Sequence, residues 1–228
     1  SLDKTGFYYS MLTTAFHNYG NITIDGLNIK SGNGTVYAPE SSGTGDIIIK
    51  NTKSENAKYF IYMYSAQSID LDNVEVVTGD VSIVTEADYT NIDIKNSFID
   101  SAQAGVRNPN AEYCTINISD TTIETDEIGI DIERYGNTYT LTNTSIKSGN
   151  YAIFDEYSSN IVSSMTATNC TFESSKNHTI YGYGLTFNMN GGEIINTYNN
   201  GNGYYALHTG SDYSYTSVSL SDVKITTD

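Results

Sequence analysis

The 228-residue chain has no Trp, two Pro, two Cys and three His, and its 11 Lys and Arg stand against 27 Asp and Glu for a net charge of −16. The shortage of cations excludes nucleic acid as a partner. Phosphates demand clustered Lys and Arg, and the only arginines are Arg107 and Arg134. Anionic membranes are disfavoured for the same reason. No apolar run is long enough to cross a bilayer, and no signal peptide or lipid motif is present, so this segment is not expected to insert in a membrane. The acidity itself has a plain role, keeping a long β surface soluble and blocking edge-to-edge pairing. What the chain does have is Ile, Thr, Ser, Asn, Gly and 20 Tyr, the composition of a β-rich fold whose outer face carries amides and hydroxyls more than charge.

One phrase recurs nine times, mostly at intervals of 22 to 26 residues: apolar, polar, apolar, polar, then Asn, Asp or Gly, then an apolar residue three places on. Ile92-Asp-Ile94-Lys-Asn96 with Ile99 is a clear copy, as are Ile69-Asp-Leu71-Asp-Asn73 with Val76 and Ile116-Asn-Ile118-Ser-Asp120 with Ile123. Ile47-Ile-Ile49-Lys-Asn51 is degenerate, with Ser54 where the last apolar residue belongs. Each phrase reads as a strand, a residue suited to a left-handed backbone, and a second inward contact. A further β-rich piece follows, clearest at 59–63, 81–83, 128–132 and 178–180, and no helical pattern lies between. Repetition at this period signals a solenoid. The chain is therefore expected to be all-β: a single-stranded, right-handed parallel β-helix of about nine to ten coils, forming one domain over residues 1–228.

Stacking requires equivalent positions to form columns with sensible chemistry, and four columns do. Gly26, Asn51, Asn73, Asn96, Asp120, Asn143, Asn169, Gly191 and Asp222 all tolerate the left-handed region, and their amides can bond along the axis. Just before them, Asp25, Lys50, Asp72 and Lys95 alternate in sign, as do Glu124, Lys147 and Glu173 elsewhere. Ser31, Asn56, Thr78, Ser101, Thr125, Ser148, Ser174, Asn196 and Thr227 are all small or amide side chains.

The register places Cys114 and Cys170 about two coils apart, on the order of 9 to 10 Å along the axis, beyond the roughly 7 Å that a disulfide spans, so both are expected as free thiols. Asp70 and Asp93 should stack as like charges, but there is no Asp/Gly nonapeptide of the calcium-roll type, and no metal or cofactor is expected. Asp131 with Glu133, and Asp155 with Glu156, are carboxylate pairs of the kind glycoside chemistry uses, yet in so acidic a chain such pairs say little. His17, His178 and His208 fall in different parts of the repeat and form no triad. No catalytic residue is assigned.

The repeats at 139–153 and 165–175 resemble the passenger domains of bacterial autotransporter adhesins and related right-handed β-helix surface proteins. That resemblance implies a secreted, surface-exposed bacterial stalk or adhesin, read as a non-enzymatic adhesin, and because the chain opens in mid-coil and closes without a capping element it is expected to be an excised segment of a longer protein. The rival is a carbohydrate-active β-helix, a polysaccharide lyase or hydrolase or a phage tailspike. Of the elements shared by polygalacturonase-type hydrolases, only Asn91-Ile-Asp93 is present, and Arg107-Asn-Pro109 reads as a turn closing a coil. A pure stalk is the third option. The longest interval, between the phrases at Phe187 and Val218, should carry a protruding loop over residues 196–215. Its Tyr198, Tyr204, Tyr205, Tyr213 and Tyr215, with Asp212, are the expected ligand-binding residues, since Tyr offers rigid amphipathic area beside adaptable polar groups. Tyr37 and Tyr157, in shorter excursions, are weaker candidates. The expected partner is a host cell-surface glycan or protein, or another copy of the chain zipped through the polar ladders.

Overall fold

A computed structural model describes residues 14–39, 45–65, 68–157, 160–198, 203–210 and 216–227. These residues form strands and connections with no helix among them. Every recorded strand pair is parallel, and each strand pairs with its equivalents in the coils before and after, which is a β-solenoid. A representative coil runs through Asn91–Lys95, Phe98–Ser101 and Ala104–Asn108. Third strands form a nine-stranded sheet. First and second strands form a sixteen-stranded one, because in two coils they are continuous, as Ser163–Ser174 and Leu185–Asn196. The solenoid has eight complete turns, flanked by a lone third strand at Phe16–His17 and two strands of a further coil at Val218–Ser221 and Lys224–Thr227. That is fewer than the nine to ten coils expected, because the ninth phrase builds only part of a turn among the described residues.

The corner after each first strand explains why the phrase repeats. All nine residues of the left-handed column have positive φ, between 49° and 73°. The burial pattern shows the effect: Ile92 and Ile94 point inward, Asn96 is exposed, and then Ser97, Ile99 and Ser101 point inward. One left-handed residue shifts the alternation by a single position, so both strands keep their apolar side chains in the core while the chain turns. The exposed amides of this column bond along the axis, Asn73 donating to Asn51 at 2.8 Å and Asn143 to Asp120 at 3.0 Å. Others reach one position sideways, Asn51 to Asp25 and Asn96 to Asp72. At Gly192, just beyond the corner at Gly191, φ is +96° and a Cβ would lie 2.0 Å from the Cys170 carbonyl oxygen, so only glycine fits.

The column of Ser, Thr and Asn has the register expected of it, but it faces inward. From Asn56 to Asn196 its members are buried. They bond to hydroxyls on the third strands, as in Asn56 with Thr35, and Thr78 and Ser101 with Ser82. This polar seam inside an otherwise aliphatic core corrects the expectation that it zips against another copy; among the described residues the left-handed amide ladder and the first-strand column of Asp70, Asp93, Asn117, Thr140 and Thr166 face outward instead. Charge alternation is also as expected. Lys147 pairs with Glu173 at 3.2 Å, and Lys50 and Lys95 flank Asp70 at 3.7 and 3.8 Å, relieving the stack of Asp70 on Asp93. Both cysteines are buried free thiols.

Asn143 gives a direct test of the corner. Asn143→Val places a β-branched residue in the left-handed region and should cost about 1–2 kcal/mol in urea unfolding. Asn143→Gly loses only an exposed amide bond and should cost under about 1 kcal/mol. Equal losses would mean that backbone conformation does not dictate the residue there.

Candidate functional site

The outer face of the nine-stranded sheet carries the densest chemistry of the molecule. Val36, Ile61, Ile83, Val106, Ile130, Ile153 and Ile180 point into the core, so the residue after each points outward. Register aligns those outward residues into one column: His17, Tyr37, Tyr62, Val84, Arg107, Asp131, Phe154, Tyr181 and His208. Aromatic rings occupy both ends and an ion pair the middle. His17 and His208 therefore share one position of the repeat, which corrects their assignment to different parts of it.

Toward the end of the chain the rings merge into a platform. His178 stacks on Tyr205 with centroids 5.5 Å apart and planes 7° from parallel, and lies 4.9 Å from His208. Tyr181 stacks on His208 at 5.1 Å and meets Tyr183 at 4.9 Å. Tyr198 and Tyr204 extend the group, the second meeting His178 edge-on at 5.2 Å. The backbone N–H of Tyr205 donates to His178 Nδ1 at 2.9 Å. Burial, then the neighbouring His208, lowers the His178 pKa, so this imidazole is neutral at pH 7 and stacks without a charge to solvate. Tyr205 remains 55 % exposed.

Three expected ligand-binding residues, Tyr198, Tyr204 and Tyr205, thus belong to this platform. Asp212, Tyr213 and Tyr215 lie outside the described residues. The expected single loop is interrupted, since Leu207–Thr209 is a third strand paired with Ile180–Gly182. The piece expected at 178–180 correspondingly begins as a strand two residues later. Tyr37 is not in a loop. It lies on the strand Gly34–Ala38, 4 % exposed, stacked on His17 at 5.0 Å, and burial pushes its phenol up to about 12.

Sequence reasoning overlooked a second array. Tyr89, Tyr113, Tyr135 and Tyr157 form a ladder at the corner after the third strands, with centroids 5.3, 5.9 and 5.6 Å apart. Tyr89 and Tyr113 hold positive φ, 58° and 57°, and Arg134 lies over the Tyr157 ring at 5.5 Å. The signal was present in Asp88-Tyr89, Glu112-Tyr113 and Glu156-Tyr157, acidic residue before tyrosine at close to the coil period.

Midway along the outward column, Arg107 joins residues from two coils. Its Nε lies 3.2 Å from Asp131 Oδ2 and donates to Glu133 Oε1 at 2.6 Å, and Nη2 also pairs with Glu133. Arg107 is thus an outward strand residue, and the turn expected to close the coil follows directly, at Pro109. Burial pushes the Asp131 carboxyl up, the Glu133 charge adds to this, and Arg107 only partly opposes it. Asp155, by contrast, points into the solenoid in register with Ile132, 1 % exposed, and burial raises it to about 7 despite bonds from the Tyr157 and Gly184 backbone. The two carboxyls lie on opposite faces of one sheet. Among the described residues no group of three or more His, Cys, Asp or Glu is arranged to hold a metal ion. No protein-family model matches the chain, and no curated protein matches it in sequence.

Asp155 generates a pH prediction. The folded state keeps this proton to about pH 7, whereas the ordinary carboxyl value is 3.8. Between those limits the native state binds more protons than the unfolded chain, so this group makes stability fall as pH rises through the window and adds no further slope above it. Asp155→Asn removes the penalty. The variant should gain on the order of 4 kcal/mol over the parent between pH 4 and pH 8 in guanidinium unfolding. A constant difference across that range would show that Asp155 titrates alike in both states.

Proposed function

We propose that the protein is a bacterial cell-surface β-helix that binds glycans non-enzymatically along the outer face of its nine-stranded sheet. The observation that carries this reading is the platform of His178, Tyr181, Tyr183, Tyr204, Tyr205 and His208, whose rings meet one another and are held by two adjacent coils. Sugar rings present apolar C–H faces edged by hydroxyls, and tyrosine answers both, offering a flat apolar ring with a polar tip. Pre-stacked rings lose little side-chain entropy on binding. Parallel strands about 4.8 Å apart repeat such contacts along the axis, which suits an extended polymer better than a compact ligand. The secreted, adhesive setting rests on the resemblance of the repeats to autotransporter passengers.

Arg107, Asp131 and Glu133 favour a second reading, a carbohydrate-cleaving β-helix, because they gather a cation and two carboxyl groups on the same face. One experiment separates the two. Neutral and acidic polysaccharides and matrix proteins are titrated against the parent chain and a Tyr181→Ser, Tyr205→Ser double variant, with the sugars assayed afterwards for cleavage. Saturable polysaccharide binding, weakened about tenfold or more in the variant, with intact polymer, is the expected result. Shortened or unsaturated products would establish the enzyme instead. Binding to matrix proteins alone would move the ligand class to protein, and binding to nothing would leave a stalk.

A further inference from the structure

A cleft of about 240 Å³ opens beside Arg107 on the outer face of the nine-stranded sheet, away from the aromatic platform. Its walls are Val81, Ala104 and Ile128, aligned by register in successive coils, with Gln103, Arg107 and Asp131 contributing polar atoms. Glu127 also borders it and is occupied by a hydrogen bond from the Asn150 amide. Val81, Val84 and Ala104 form a small apolar cluster of their own outside the main core, with Tyr62 and Ile128 packed against it.

Two features give this cleft an unmet hydrogen-bonding demand. Asp131 is 6 % exposed, Arg107 engages only its Oδ2, and Oδ1 has no hydrogen-bond partner among the described residues. Such an oxygen costs on the order of 1–3 kcal/mol if left unmatched. Arg107 uses Nε and Nη2 on the two carboxylates, and its Nη1 makes no recorded bond to a described residue. An acceptor and a donor are therefore left over on side chains that are already fixed to each other across two coils, above an apolar floor.

We propose that this cleft is a subsite for one neutral pyranose ring carrying vicinal hydroxyls, one hydroxyl donating to the Asp131 carboxyl and its neighbour accepting from Arg107, with the ring face against Val81, Ala104 and Ile128. A charged ligand fits less well. An anion meets Asp131, Glu133 and Glu127, and a cation meets Arg107, whereas a hydroxyl pair satisfies both ends without adding charge. The tendency of Asp131 to keep its proton is consistent with a neutral occupant. The inference deepens the glycan-binding reading, and rests on it for the polymer to which such a ring would belong.

The test follows the Asp131 side-chain carboxyl by NMR in ¹³C-labelled protein while methyl glycosides of glucose, galactose and mannose are added, each alongside an analogue lacking one of its vicinal hydroxyls. At least one glycoside should shift that resonance and saturate in the millimolar range, and its deoxy analogue should bind about tenfold more weakly. In the Tyr181→Ser, Tyr205→Ser background, Asp131→Leu should abolish the binding, read from ligand saturation transfer, with Asp131→Asn as the smaller change if the first variant folds poorly. The Tyr181→Ser, Tyr205→Ser variant should titrate like the parent. Silence of the Asp131 resonance toward all three glycosides overturns the assignment, as does binding that survives when a folded Asp131→Leu protein also carries Tyr181→Ser and Tyr205→Ser. If polysaccharide binding depends on the platform tyrosines while Asp131 stays silent, the subsite falls and the glycan-binding face stands. If the glycosides titrate Asp131 and the platform variant binds polymer like the parent, the platform falls and the subsite stands.

Discussion

One backbone torsion per coil governs the rest of the molecule. At Asn96 and its eight equivalents the chain enters the left-handed region, and the inward alternation slips by one residue. Without that slip, the strand after the corner would present its polar residues to the core and Ile99 or Ile123 to water. The stacking of coils, the inward polar seam and the placing of third-strand side chains on an outer wall all inherit their phase from it. Asn and Asp dominate the position because their short polar side chains lower the cost of the left-handed conformation and bond to the next corner along the axis.

How much was legible in the sequence follows from the same corner. A residue type restricted by backbone conformation leaves a mark in every coil, so the columns built on Asn51 to Asn169 and on Asn56 to Asn196 could be aligned from the sequence alone. The third strands carry no such mark. Their register depends on connections of variable length, and the relation of His17 to His208, or of Tyr181 to Tyr205, stays hidden until those lengths are resolved into strand and loop. Tyr204 and Tyr205 stood out by composition, whereas His178, which meets both, did not. The direction of the Ser and Thr column was misjudged for a related reason: small hydroxyl residues are at home on a surface, and only their pairing with Thr35, Ser82 and Thr179 shows that they face inward.

Charge shows the same dependence on neighbours. Asp70 and Asp93 looked like a carboxylate stack in need of a cation, and lysines on either side supply it. Asp131 and Glu133 looked like two acids among many, and acquired significance only when the fold brought Arg107, a coil away in sequence, against both. Asp155, directly before the unremarkable Glu156, proved to be sealed inside the wall. In a solenoid, the informative partner of a side chain is the one a full turn away.

The hydrogen bonds that join one coil to the next lie along the solenoid axis, whereas the covalent chain winds across it. Tension applied to the two ends would therefore load those bonds directly, and with weak coupling between distant coils they would yield at an end, one turn after another. Each freed turn of about 23 residues supplies roughly 75–80 Å of slack before the next must open. A filament built this way would lengthen in steps under load, limiting the force that passes along it.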